Sequence, residues 1–76
     1  MQLANRIRQI RERNNLTQAE VAFLCNITPS AYGQIERKAS KCSFDTLKKI
    51  AAALNVSTSF LIEIENKLFI ETKNKL

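Results

Sequence analysis

The sequence predicts an all-α domain of five helices, and three observations carry that expectation. Apolar residues recur at spacings of three and four along nearly the whole chain, the period of an amphipathic helix. Residues able to cap helix N-termini stand just ahead of these apolar stripes. A single Gly and a single Pro in 76 residues leave too little turn chemistry for a β architecture or a disordered linker.

Leu3, Ile7 and Ile10 mark a first helix that ends near Asn14 and Asn15. Val21, Ala22, Leu24 and Cys25 form the stripe of a short second helix. Its start is written in Thr17-Gln18-Ala19-Glu20, a capping box in which the Thr hydroxyl takes the Glu20 amide and the Glu carboxylate reaches back. Asn26 follows, tolerant of the left-handed conformation a sharp turn needs. Thr28-Pro29 opens a third helix, with proline at the first position, where its missing N–H costs nothing. Tyr32 and Ile35 lie on its inner face, the Tyr32 hydroxyl expected near the surface. Ser43 caps a fourth helix striped by Leu47, Ile50, Ala51 and Leu54, and Ser57 a fifth carrying Phe60, Leu61, Ile64 and Leu68. No repeat, low-complexity tract or internal linker is evident. Residues 1–66 are expected to form the domain and residues 67–76 a C-terminal extension. The cluster Leu68-Phe69-Ile70 cannot all face one helical core, so it reads either as a dimer surface or as the last helix wrapping the core.

Composition narrows function. A chain this short buries only about 60% of its unfolded surface, so the core must be compact. Residues 1–41 carry seven basic and three acidic side chains (7 − 3 = +4), and residues 42–76 five and four (5 − 4 = +1). An excess gathered in one half points to a polyanionic partner, although solubility alone gives many small proteins such a charge. No apolar run approaches the ~20 residues that span a bilayer, and the charged start lacks a signal peptide's apolar centre. A cytoplasmic protein is expected. Cys25 and Cys42, without any histidine, cannot build a tetrahedral zinc site, and no C-x2-C spacing occurs. Cys25 reads as a small buried hydrophobe and Cys42 as a free loop thiol; a disulfide between them is not expected in a reducing compartment. The lack of histidine, of paired carboxylates in an apolar setting and of a glycine-rich phosphate loop argues against an enzyme.

Two short helices joined by Asn26-Ile27-Thr28 make a helix–turn–helix, which lets a second helix enter the major groove while the first braces across the backbone. A helix pair by itself is weak evidence. The residues, however, resemble a family. Leu16-Thr17-Gln18-x-Glu20-Val21-Ala22, Ile27-Thr28, Ile35-Glu36-Arg37 and Leu47-x-x-Ile50-Ala51-x-Ala53-Leu54-Asn55-Val56-Ser57 look like the Cro/repressor (XRE-type) helix-turn-helix family, over about residues 3 to 62.

The resemblance implies a five-helix, lambda-repressor-like DNA-binding domain that regulates transcription as a homodimer on a palindromic operator in double-stranded DNA. It implies base contacts from Pro29, Ser30, Gly33 and Gln34. It implies phosphate contacts from Thr17, Gln18, Arg37, Lys38, Lys41 and Arg11, and an ion pair between Arg11 and Glu36. Chemistry favours Gln34 for direct readout, since glutamine can pair bidentately with adenine. Pro29 offers only apolar contact. Gly33 reads two ways: its missing side chain permits close approach to the groove, or the position is simply indifferent. The loop departs from the family, with Lys38 at the usual glycine and Cys42 at the usual proline. No cofactor, metal, membrane or small-molecule ligand is expected, because little chain remains for a sensing domain. The alternative is an antitoxin-like or adaptor protein that uses the same fold to bind protein. Salt dependence separates the two.

Overall fold

The structure, a computed structural model, describes residues 2–39 and 42–62. Four helices, α1 (Gln2–Arg13), α2 (Gln18–Cys25), α3 (Pro29–Arg37) and α4 (Phe44–Ala53), are followed by α5 over residues 58–62. Among the described residues there is no strand, and the fold is all-α. Ile64, Leu68-Phe69-Ile70, Lys41 and the expected boundary at residues 66–67 lie outside the described residues.

The capping chemistry is built as the sequence expects. In α2 the Glu20 amide donates to Thr17 Oγ1 at 3.0 Å and the Thr17 amide to Glu20 Oε1 at 2.7 Å, completing the capping box. Thr28, Ser43 and Ser57 each accept from the amide three residues on, at 3.0–3.1 Å. Three orphan donors are satisfied in this way, one for each of α3, α4 and α5.

One regularity goes unnoticed when each residue is read singly. The chain repeats the tripeptide asparagine, branched aliphatic, hydroxyl residue at 15–17, 26–28 and 55–57. Each asparagine is left-handed, with φ of 58° at Asn15, 59° at Asn26 and 61° at Asn55. The next amide, of Leu16, Ile27 or Val56, donates five residues back to Arg11, Ala22 or Ala51 at 2.9–3.2 Å. That is the helix-ending bond of the Schellman motif, and the aliphatic side chain folds against the core as that motif favours. The hydroxyl residue then caps the following helix. A whole helix-to-helix corner is thus made in three residues. Asn55→Ala should lower stability by about 1 kcal/mol, whereas Asn55→Gly should not, because only a Cβ resists the left-handed region. Chemical denaturation of both variants checks this; equal losses would show that the turn rests on the asparagine side chain instead.

The core gathers Ile7 and Ile10 from α1, Val21, Ala22 and Cys25 from α2, and Tyr32 and Ile35 from α3. Leu47, Ile50, Ala51 and Leu54 join them from α4, and Leu61 from α5. Asn14 Nδ2 donates to the Leu54 carbonyl at 2.9 Å and so ties the end of α1 to the end of α4. Two expectations need correction. Leu24 is 57% exposed, not part of the α2 stripe. With Val21, Ala22 and Cys25 inward, a turn of 100° per residue places Leu24 about 105° from the centre of that face. Phe60 likewise lies at the rim, with the Arg6 guanidinium 5.0 Å from its ring centroid. Both cysteines are free, Cys25 buried and Cys42 partly so, and burial pushes both thiols up.

Candidate nucleic-acid interface

α3 is placed by what it buries. Tyr32, Ile35 and Glu36, at spacings of three and four, face the interior. The opposite stripe, Pro29, Ser30, Gly33, Gln34 and Arg37, faces out, with Gly33 half-buried and the others exposed. This places the four residues expected at DNA bases on one continuous surface, with Arg37 at its C-terminal end. Gln34 is exposed on it.

A buried carboxylate on the inner face of a recognition-type helix demands partners. Glu36 has them from two other helices. Arg11 Nε donates to Glu36 Oε2 at 2.6 Å and Arg11 Nη2 to Oε1 at 3.1 Å, a two-pronged ion pair between α1 and α3. Arg11 Nη1 donates to the Leu16 carbonyl at 2.8 Å, which anchors the corner before α2. Gln18 Nε2, from the first position of α2, donates to Glu36 Oε1 at 3.0 Å. One carboxylate therefore fixes α1, the α1–α2 corner and α2 against α3.

Burial pushes the Glu36 carboxyl up, but the hydrogen bonds from Arg11 and Gln18, the nearby Tyr32 hydroxyl and the charge of Arg11 outweigh it. The net direction is below the ordinary glutamate value, so the group is ionised at neutral pH. The hydrogen bond to Glu36 raises Arg11 in turn, against the opposing effect of burial.

Tyr32 departs from expectation: the whole side chain is buried, its hydroxyl included. Burial pushes that hydroxyl well above its ordinary pKa, and the neighbouring Glu36 adds to the shift. The hydroxyl makes no hydrogen bond of acceptable geometry with the described residues, so it is close to the carboxylate without being bonded to it.

Thr17 and Gln18 are exposed at the N-terminus of α2, where the free first-turn amides and the positive end of the helix dipole lie. Arg37 and Lys38 are exposed at the end of α3. Lys38 is extended, at φ −149° and ψ 91°, which explains why the position tolerates lysine: the chain leaves α3 without a left-handed residue. Arg11 is 11% exposed, its guanidinium committed to Glu36 and the Leu16 carbonyl. The sequence reading paired Arg11 with Glu36 but missed the bond from Gln18 to Glu36. Its only signal was a carboxylate on the apolar face of α3.

A helix-turn-helix family model matches residues 7–61 of the chain. An immunity repressor protein of Bacillus phage phi105 is 34% identical over 62 residues, covering 82% of this chain and 43% of that protein. The control protein C.BamHI of Bacillus amyloliquefaciens is 34% identical over 76% of this chain and 73% of its own. The control protein C.SmaI of Serratia marcescens is 35% identical over 79% and 71% respectively. The chain thus spans under half of the phage repressor and about seven-tenths of each control protein. No solved structure gives a significant match.

Proposed function

The chain belongs to the helix-turn-helix family, of the XRE type, and on that footing we propose that it is a regulator of transcription that binds specific sequences in double-stranded DNA. The observation that carries this reading is the exposed stripe of α3, held in one orientation by the Glu36 cluster and flanked by cations. α3 enters the major groove, with Gln34 reading a base edge, Ser30 a second polar contact and Pro29 an apolar one. The first turn of α2, with Thr17 and Gln18, and the cations Arg37, Lys38 and Lys41 meet phosphates, and Arg11 adds the edge of its guanidinium. The protein works as a homodimer, the two copies of α3 about 34 Å apart on a palindromic operator. Its place is the cytoplasm, and its role is regulatory rather than enzymatic. It is similar to repressor and control proteins alike.

Selection of bound sequences from a random duplex pool tests this reading. The parent protein should enrich a two-fold symmetric motif, and Gln34→Ala should lose preference at one base per half-site and leave the others intact. Failure to enrich any motif would count against specific recognition. Affinity should also fall with salt, by about 0.9 log units per log unit of salt for each phosphate neutralised.

A second reading, a protein-interaction module, draws on one observation. Phe23 is 83% exposed and Leu24 57% on the outer face of α2, beside Leu16 and Ala19. Binding through such an apolar face would barely respond to salt, so the same titration separates the two.

A further inference from the structure

Gln18 is placed to do more than hold a phosphate. A carboxylate accepts hydrogen bonds and cannot donate them, so an amide facing ionised Glu36 must present its NH2 group. The Gln18 side chain is arranged in this way, with Nε2 3.0 Å from Glu36 Oε1. Its polarity is therefore fixed from inside the protein, and its oxygen points the other way.

That oxygen lies beside Gly33. Among the described residues, the atom bordering the space that a Gly33 side chain would fill is Gln18 Oε1, 3.6 Å from the Cβ position. Gly33 is the half-buried member of the stripe that also holds Pro29, Ser30, Gln34 and Arg37, on the side of the helix nearest Glu36. The absent side chain leaves open space beside that oxygen, and Gln18 itself is exposed. A lone acceptor there repels a phosphate oxygen and the keto edges of guanine and thymine. It attracts an exocyclic amine, which in the major groove belongs to adenine N6 or cytosine N4.

We propose that Gln18 Oε1 is a base-reading acceptor that selects an amino-bearing base, adenine or cytosine, with Glu36 fixing its polarity and Gly33 giving the base access to it. This inference rests on the DNA-binding reading above. It is compatible with the phosphate contact proposed for α2, since Gln18 Nε2 keeps a second N–H and the capping box leaves the other first-turn amides unused.

The test is sequence selection by the full chain, run in parallel on the parent, Gln18→Ala, Gly33→Ala and Gln34→Ala, with a thermal melt of each. The parent should prefer adenine or cytosine at one position per half-site by about fivefold or more, as for a good base contact. Gln18→Ala should abolish that preference at a position distinct from the one lost in Gln34→Ala. Gly33→Ala should weaken the same position as Gln18→Ala because its methyl covers the oxygen. A 3.6 Å approach is ordinary contact, so that variant should melt no lower than the parent. Uniform weakening of every sequence by Gln18→Ala would overturn the proposal and leave Gln18 a phosphate clamp. So would a motif indifferent between amino and keto bases at every position that Gln18→Ala alters. A parent that enriches nothing overturns the DNA-binding reading instead, a different result from either.

Discussion

Replacing Glu36 by alanine is expected to destabilise the domain by about 3 kcal/mol, near the low end for removing one partner of a buried ion pair. The reason is what remains. Arg11 keeps its charge in a site where its side chain is only 11% exposed, and Gln18 loses the bond that ties α2 to α3. A chain of this length has a total stability on the order of 4–11 kcal/mol, so the loss is a large share of it. Glu36→Gln should lose less, because its amide oxygen still accepts from Arg11, though without charge assistance. Urea titration followed by far-ultraviolet circular dichroism measures both. If Glu36→Ala unfolds at the same urea concentration as the parent, the cluster is decorative and the argument for a fixed α3 fails with it.

The same residue gives the domain a pH dependence of definite sign. The folded carboxyl sits below its unfolded value, so its stabilisation is complete above the unfolded pKa and disappears as pH falls through the folded one. Acid should therefore weaken the parent from the ordinary glutamate range downward, and Glu36→Gln should show a flatter profile there. Nothing in this cluster titrates near neutrality, because Arg11 and Tyr32 are both shifted upward.

The helices were legible because each shows an apolar stripe and α2 to α5 each begin at a hydroxyl cap, two local signals that agree. The corners were half legible. Asn26 was read as a left-handed turn residue, but Asn15 and Asn55 do the same work, visible only when 15–17, 26–28 and 55–57 are compared. Leu24 misled because three neighbours define a face more narrowly than a list of apolar residues does, and an eight-residue helix has too few turns to average out the error. The functional stripe of α3 followed from spacing once the inner face was known. The bond between Gln18 and Glu36 did not, since it joins the start of one helix to the end of the next, 18 residues on. Periodicity says which way a side chain faces; it says nothing about which distant polar group meets it there.

Tyr32 offers the second large effect, and its two halves separate cleanly. Its ring fills the space beneath α3 with no exposed surface, so Tyr32→Ala should cost about 3–5 kcal/mol, the range for truncating a buried aromatic. Its hydroxyl is another matter. An enclosed donor without a good partner is itself a penalty, of about 1–3 kcal/mol when fully unmet, and the adjacent carboxylate offsets part of that. Tyr32→Phe removes the donor and keeps the packing, so it should match the parent within about 1 kcal/mol, on the stabilising side. Thermal melts of the two variants, read against each other, decide what the tyrosine is for. A Tyr32→Phe protein weakened by ~2 kcal/mol or more would mean that the hydroxyl bonds Glu36 after all, and that the carboxylate is held by three side chains rather than two. Near-equality would instead make Tyr32 a packing residue, with the orientation of α3 left to Arg11 and Gln18. Sequence preference then gives an independent check: Tyr32→Phe should read the same operator as the parent, because the stripe it supports has not moved.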